Sequence, residues 1–260
     1  MPMKLKILWI WILFIVTFES LVEKILNRFG QDKLIIMGHS WGSIIGAKYA
    51  QEHSDKIQRY IGIGQVWDSY ESEELTTNQA LEMAKEKGNS QDIEKMQVHF
   101  SSLKEGLSKK EFRLEDLMKL REISLGKYLV SKSSDPFYIS IWKGLTSPKM
   151  NIDDMKCFFK NSDTKEYHRL FEKVFIDFQS FNLKYAEINM PVTIIMGEED
   201  WITPYVISQK YIDSLKAPSK YLFIIEKAGH APYLDKAEEF ANIIKAEFDK
   251  FKNTKSIFEK

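Results

Sequence analysis

One short stretch, residues 34–43, limits the fold of this chain more than any other part of the sequence. Four apolar residues lead into Gly38-His39-Ser40-Trp41-Gly42, and a helical pattern follows. Gly-x-Ser-x-Gly in this setting predicts a sharp strand-to-helix turn that holds Ser40 at its tip in a strained backbone conformation. Gly38 and Gly42 are then expected where the backbone passes too close for a side chain. The following helix would direct its first N–H groups and its positive dipole end at Ser40, where negative charge develops in acyl transfer.

The composition is that of a globular protein whose charge favours no particular partner. The chain has 260 residues, of which 44% are hydrophobic and 28% charged, and 37 basic residues balance 37 acidic ones. A net charge of zero gives no reason to expect nucleic-acid binding. The single cysteine, Cys157, allows no internal disulfide and no thiolate metal cluster, and we interpret it as a small buried apolar residue. This cysteine content fits a reducing compartment, and we predict a cytoplasmic location.

The N-terminal segment, residues 1–17, is apolar and allows three interpretations. Lys4 and Lys6 precede Ile7 to Phe18, a run without any charge. A signal peptide is disfavoured because residues 18–20 lack small residues at both cleavage positions. A membrane anchor is disfavoured because twelve apolar residues are short of the roughly 20 that span a bilayer. We therefore favour a buried element of the domain, and its Ile, Trp, Phe and Val content favours a strand. Membrane contact through residues 7–18 is the alternative, and it would make the protein membrane-associated.

Helical and strand patterns alternate on both sides of a long insertion. Residues 18–65 contain a helix at 18–29, with Leu21, Val22 and Leu26 on its predicted apolar face, the strand before Ser40, a helix at 41–52 and a strand at 57–63. Residues 186–252 contain strands at 191–196 and 221–225, with helices at 205–215 and 236–251. This alternation predicts an α/β core with a mostly parallel sheet and right-handed crossovers. Residues 66–185 instead show helical spacing throughout, which predicts a helical cap insertion. Its second half carries many aromatic residues, a few of which we expect to face Ser40: Phe137, Tyr138, Trp142, Phe158, Phe159, Phe171, Phe175, Phe178 and Phe181.

Three of the predicted strands end in residues that can cooperate in nucleophilic catalysis. Ser40, Asp200 and His230 each follow a strand, in the chain order Ser, Asp, His. A serine needs a base within hydrogen-bond reach, and that base needs an acid to orient it. In open parallel sheets such groups meet beyond the carboxyl ends of the strands. Asp68 is a rival for the acid, because it also follows a strand. His39 is expected to direct its side chain away from that of Ser40. The other histidines are expected in structural or solvent-facing roles: His53, His99 and His168.

Three motifs together resemble the α/β-hydrolase superfamily. They are Gly38-His39-Ser40-Trp41-Gly42-Ser43, Gly197-x-x-Asp200 with Thr203-Pro204, and Gly229-His230-x-Pro232. The Trp41-Gly42-Ser43 sequence, the strand exit at 61–66 and the long insertion are similar to the proline iminopeptidase-like branch. The resemblance implies that Ser40 is the nucleophile, His230 the general base and acid, and Asp200 the residue that orients it. It also implies that the backbone N–H of Trp41 is an oxyanion-hole donor, and that no cofactor takes part.

The sequence departs from this family before the strand-to-helix turn that holds Ser40. The resemblance implies four further strands there and a His-Gly loop that supplies a second oxyanion donor, whereas only about 17 residues precede the first core helix here. We therefore predict an α/β-hydrolase fold that lacks its first strands, in a chain that is a fragment. The strand before Ser40 would then lie at or near the edge of the sheet. Residues 7–16 could pair beside that strand and cover it.

Two functions follow as hypotheses. The first is a serine hydrolase that cleaves a small-molecule or short-peptide amide or ester, with the branch resemblance implying release of an N-terminal proline or another small residue. Such an enzyme needs an acidic group in the insertion for the substrate's α-ammonium group. The candidates are Glu71, Glu73, Glu74, Asp153 and Asp154. The second is a catalytically impaired fragment, or a membrane-tethered binding module of the same fold. The sequence does not indicate which oligomeric state the protein adopts.

Overall fold

The described part of the chain covers most of the two core segments and the first half of the insertion. A computed structural model describes residues 3–109, 111, 113–131, 146–147, 151–154, 156, 168, 172 and 187–258. Cys157 and the insertion aromatics between residues 137 and 181 lie outside the described residues. The domain boundaries at 17, 65 and 185 therefore stay predictions.

Four parallel strands form the sheet in the described part of the chain, in the order β1-β2-β3-β4. They are β1 (Leu34–His39), β2 (Ile57–Ile63), β3 (Val192–Gly197) and β4 (Lys220–Ile225). Each strand pairs in parallel with the next one along the chain. The predicted parallel sheet is confirmed, and β1 is an edge strand of it, as expected.

The described helices precede, connect and follow these strands. They are α1 (Met3–Phe29), α2 (Trp41–Glu52), α3 (Ser69–Glu86), α4 (Ser90–Lys109), α5 (Leu114–Ile123), α6 (Tyr205–Ile212), α7 (Pro232–Asp235) and α8 (Ala237–Phe258). The bounds of α2 and β2 are those that the sequence predicted. Within the described residues, no helix is both long enough and apolar enough to cross a lipid bilayer.

The strand predicted over residues 7–16 was wrong, because these residues belong to α1. No glycine or proline interrupts the sequence between Met3 and Phe29. The helix whose periodicity is clear after Phe18 therefore extends back to Met3. A short apolar run has no periodicity that separates a strand from a buried helix, and its β-branched content misled the prediction. These residues therefore do not pair with β1 as a fifth strand.

The C-terminal half of α1 is anchored to the sheet by a narrow row of buried apolar residues and by a polar cluster around Glu19. Val22 is 2% exposed and Leu26 is 7% exposed, whereas Leu21 on the predicted apolar face is 50% exposed. Tyr49 and Lys56 both donate hydrogen bonds to the carboxylate of Glu19. The hydrogen bond from Lys56 holds the pKa of Glu19 below its usual range. The helix thus packs through one edge of the predicted face.

Neighbouring residues of β2 and β3 alternate between two hydrophobic clusters. Tyr60 and Ile194 pack on one face of the sheet with residues of α1, α2 and α6. Ile61 and Ile195 pack on the other face with residues of α8. Helices therefore cover both faces, which is why the strands read as nearly continuous apolar runs.

The described part of the insertion is helical and has a core of its own. Helices α3, α4 and α5 and a π-helical turn, Ser124–Tyr128, follow one another without any strand among the described residues of 66–185. Their buried residues form a third hydrophobic cluster, which includes Ala80, Met96, Leu103, Leu117 and Leu120. This confirms the predicted helical character for the residues that are described.

Candidate active site

Ser40 occupies the turn between β1 and α2 in a strained conformation. Its φ is 53° and its ψ is −121°, a region that side-chain-bearing residues rarely adopt. Its N–H donates to the carbonyl of Ile63 at 2.9 Å, and its carbonyl accepts a 2.6 Å hydrogen bond from the Ser43 hydroxyl. Its own hydroxyl makes no capping hydrogen bond to α2. The predicted strained turn is confirmed, and the hydroxyl is not used to stabilise the helix.

The two glycines that flank this turn differ in their surroundings. A Cβ atom on Gly38 would lie 2.4 Å from the carbonyl oxygen of Gly42, so the first position requires glycine. A Cβ atom on Gly42 would meet no described atom within 4 Å, so the expected crowding at the second position was wrong. Because β1 is an edge strand in the described structure, no further strand lies beside this corner.

Asp200 and His230 form a hydrogen-bonded pair beyond the ends of β3 and β4. The distance between Oδ2 of Asp200 and Nδ1 of His230 is 2.9 Å. Asp200 is 2% exposed and also accepts hydrogen bonds from the N–H groups of Ile202 and Thr203, both at 2.9 Å, and from the Thr203 hydroxyl at 2.6 Å. With four donors around it, the carboxylate is fixed in position and its burial is compensated. Thr203, which the sequence offered only as part of a motif, therefore positions the acid.

A close approach of two loops brings this pair together. A Cβ atom on Gly197 would lie 2.1 Å from the carbonyl oxygen of Gly229 and 2.3 Å from that of Ala228. Only glycine allows the loop before Asp200 to touch the loop before His230 in this way. The N–H of Glu199 also donates to the Ala228 carbonyl at 2.8 Å. Glycine in the Gly197-x-x-Asp200 motif is therefore required for packing, in addition to the chemical role expected of Asp200.

Ser40 and His230 are not hydrogen-bonded to each other. Neither the hydroxyl of Ser40 nor Nε2 of His230 makes a hydrogen bond to any residue that the structure describes. Catalytic hydrogen bonds are often long in ligand-free sites and tighten when substrate binds. The structure therefore brings together Asp200 and His230, and Ser40 borders a cleft that also contacts the loop after Asp200.

A small cleft joins Ser40 to the insertion. It has a volume of about 40 Å³ and is lined by Ser40, Trp41, Ile44, Val66, Ser69, Ser72, Glu73, Arg121, Ile202 and Thr203. Trp41 is the first residue of α2, where helix N–H groups point out of the helix end, on the side of Ser40. This is the position expected of an oxyanion-hole donor. The cleft therefore combines the candidate nucleophile, the candidate donor and residues from α3 and α5.

Glu73 and Arg121 place a buried charge pair in this cleft. Glu73 is 3% exposed, and Nε of Arg121 donates to its Oε1 atom at 2.9 Å. Nη2 of Arg121 donates to the same oxygen. No described residue hydrogen-bonds to Oε2 of Glu73. The sequence gave no signal for Arg121, because it lies 48 residues from Glu73 on another helix.

The other acidic candidates lie elsewhere. Glu71 accepts hydrogen bonds from Lys210 and Tyr211, and Glu74 accepts a 3.3 Å hydrogen bond from Tyr70. Asp153 and Asp154 are exposed, and the side chain of Asn151 binds their N–H groups. Of the five candidates, Glu73 is the one in the cleft with Ser40.

The alternative acid and two other histidines have structural roles. Asp68 is the N-cap of α3, and its carboxylate accepts from the N–H of Glu71 at 3.0 Å. His53 is the C-cap of α2, as expected, and stacks on Tyr49. His99 lies 3.3 Å from the carboxylate of Asp116, in the insertion. No group of three metal-ligating side chains is found among the residues described.

The chain is similar to several known proteins. A probable aminopeptidase of Bacillus subtilis (strain 168), YbaC, is 25% identical over 225 residues, which are 86% of this chain and 68% of the relative. The crystal structure of VinJ is similar with a TM-score of 0.53 and 12% identity, over 91% of this chain and 72% of that chain. MGS-M2, an α/β-hydrolase enzyme from a Medee basin deep-sea metagenome library, has a TM-score of 0.48 and 15% identity, over 88% of this chain and 70% of that chain.

The family assignment rests on the extent of the sequence match. The model of the α/β-hydrolase fold family matches residues 14–237, which include the first core segment, the insertion and most of the second core segment. The parallel sheet with helices on both faces has the corresponding architecture. This chain belongs to the α/β-hydrolase fold family.

Proposed function

We propose that this protein is a serine hydrolase in which Ser40 is the nucleophile, His230 the general base and acid, and Asp200 the orienting acid. The observation that carries the proposal is the 2.9 Å contact between Asp200 and His230 beyond two neighbouring strands. A buried carboxylate on Nδ1 keeps the imidazole proton there and leaves Nε2 able to accept a proton. Ser40 supports the proposal because its backbone is strained, it borders the cleft, and no described residue hydrogen-bonds to its hydroxyl.

The reaction would proceed in two acyl-transfer steps. Nε2 of His230 takes the Ser40 proton while Oγ attacks the carbonyl carbon of the substrate. The N–H of Trp41 stabilises the resulting oxyanion. Collapse of the tetrahedral intermediate breaks the bond to the amine or alcohol, which leaves with the proton from His230. Water then attacks the acyl-enzyme, gives its proton to His230, and releases the acid and free Ser40 after that proton returns to Oγ.

We further propose that the substrate carries a free α-ammonium group, as in aminopeptidases of the proline iminopeptidase-like branch. The curated relative is named a probable aminopeptidase, which favours this class. Glu73 is the residue suited to the task, because it is buried in the cleft that contains Ser40. Arg121 engages one carboxylate oxygen only. Oε2 can therefore accept from an ammonium group while the pair with Arg121 persists.

Hydrolysis of two substrates tests both parts of the proposal. Prolyl-naphthylamide has an α-ammonium group and p-nitrophenyl acetate has none. Ser40→Ala should abolish turnover of both, whereas Glu73→Gln should raise KM for prolyl-naphthylamide and leave the ester reaction unchanged. Glu74→Gln is the matched control on the same helix, away from the cleft, and should change neither. Equal turnover by wild type and Ser40→Ala would refute the hydrolase. Equal KM for Glu73→Gln and wild type would refute the aminopeptidase assignment.

The second candidate is a catalytically impaired member of the same fold. It is favoured by the position of β1 at the edge of the described sheet and by the unmade hydrogen bond between Ser40 and His230. Loss of one oxyanion donor typically lowers turnover by about 100- to 1,000-fold. Reaction with a fluorophosphonate probe separates the two candidates, because an activated Ser40 reacts rapidly and an unactivated one does not.

A further inference from the structure

His39 lies directly against the candidate base. Its Nε2 atom is 2.8 Å from the main-chain carbonyl oxygen of His230. The two imidazole rings are 4.8 Å apart between centroids and tilted by 47°. On the other side, the ring of Tyr233 meets His39 edge to face at 5.2 Å. The sequence predicted only that this side chain points away from that of Ser40, and it gave no sign of the contact with His230.

The contacts of His39 fit a neutral ring that carries its proton on Nε2. A carbonyl oxygen only accepts hydrogen bonds, so Nε2 of His39 must carry a proton and donate it. In a neutral ring Nδ1 is then an acceptor, and the hydroxyl of Tyr233 lies 3.4 Å from it. Burial, the main cause, lowers the pKa of His39, and it outweighs the hydrogen bond to the His230 carbonyl, which raises that pKa. The titratable groups that face the ring are Asp200, His230 and Tyr233.

The loop that carries His230 is held at separate points. Asp200 fixes Nδ1 of its ring, and His39 fixes its carbonyl. The N–H of Gly229 donates to the carboxylate of Asp235 at 2.7 Å. Asp200 cannot by itself fix how far the imidazole reaches towards Ser40, because a ring can pivot about a single hydrogen bond. The contact from His39 ties the main chain of the base to β1, the strand that leads into Ser40.

We propose that His39 is a positioning residue for His230, acting as a neutral imidazole that donates from Nε2 to the His230 carbonyl. This inference rests on the proposed function, in which His230 is the base. Ser40 follows His39 directly in the sequence. One short segment therefore carries both the nucleophile and the group that sets the distance between Ser40 and His230. Catalytic groups must be held within about 0.5 Å of their working positions, and such contacts provide that accuracy.

Two variants test the proposal by separating the hydrogen bond from the packing. His39→Leu replaces the imidazole with an apolar side chain of similar size and so removes the hydrogen-bond donor. His39→Gln places an amide N–H near the position of Nε2 and should restore it. We expect His39→Leu to lower kcat for p-nitrophenyl acetate by about 10- to 100-fold with little change in KM, since misplacement of a catalytic group slows the chemical step. His39→Gln should retain kcat within about threefold, and His53→Gln is the control histidine variant.

Nitrogen-15 NMR of the imidazole rings gives a second readout that does not depend on activity. The chain has five histidines, so His39 can be assigned by comparison with His39→Gln. We expect a neutral ring protonated at Nε2 at pH 7. Equal kcat for His39→Leu and wild type, or a His39 ring that is charged or protonated at Nδ1, would overturn the proposal. If Ser40→Ala is as active as wild type, the proposed function fails instead, and the NMR result alone decides the state of His39.

Discussion

Replacement of Asp200 by asparagine should inactivate the enzyme without unfolding it. In Asp200→Asn, the remaining side-chain oxygen would keep the N–H donors of Ile202 and Thr203, which now bind Oδ1 of Asp200 at 2.9 Å. The new amide group would replace Oδ2, which faces His230 and the Thr203 hydroxyl. The hydroxyl can rotate and accept, but the imidazole must move its proton from Nδ1 to Nε2. Nε2 could then no longer accept the Ser40 proton.

We expect this change to lower kcat by about 10³- to 10⁴-fold, as for a histidine held in the wrong tautomer. Weakening of the charge-assisted bonds in the buried site should cost about 1–3 kcal/mol in the free energy of unfolding. The assays are p-nitrophenyl acetate turnover and urea denaturation. Asp68→Asn is the matched control, because asparagine caps a helix as well as aspartate does, and it should leave turnover unchanged. Loss of turnover in Asp68→Asn with retention in Asp200→Asn would refute the assignment of the acid.

Three further predictions concern the fold around the site. Leu26→Ala should lower the free energy of unfolding by about 2–5 kcal/mol because Leu26 is buried, whereas the half-exposed Leu21→Ala should change it by less than about 0.5 kcal/mol in the same urea titration. Gly197→Ala should destabilise the fold by about 1–3 kcal/mol and lower kcat, because the new methyl group would meet backbone carbonyls of the loop before His230. As the pH falls below about 6.5, His39 takes up a proton in the unfolded state but resists it when buried in the folded state. The free energy of unfolding of wild type should therefore fall more between pH 7.5 and 5.5 than that of His39→Gln. Equal losses would contradict the neutral state of His39.

The parallel sheet and the pairing of the acid with the base could be predicted because they depend on local patterns. Apolar runs ending in Gly-x-Ser-x-Gly, Gly197-x-x-Asp200 and Gly229-His230 mark strand ends, and parallel topology places those ends at one edge of the sheet. The bounds of β2 and α2 followed directly from their clear periodicity. The sequence could therefore predict that Asp200 and His230 would meet.

The features that the sequence did not predict depend on contacts between distant residues. Glu73 could not be chosen among five acidic residues until α3 was packed beside Ser40, and Arg121 is brought to it from α5. The contact between His39 and His230 joins residues 191 positions apart. The apolar run before Phe18 was assigned to the wrong element because a short run of this kind suits either a strand or a helix.

Reaction of the full chain with a fluorophosphonate probe tests the central claim most directly. The Ser40 oxygen would attack phosphorus, fluoride would leave, and His230 would take the hydroxyl proton. Peptide mapping by mass spectrometry should then find one phosphonyl group on Ser40 in wild type, much slower labelling in Asp200→Asn, and no labelling in Ser40→Ala. A wild-type chain that stays unlabelled, or one labelled to the same extent in Ser40→Ala, would contradict the assignment of Ser40 as an activated nucleophile.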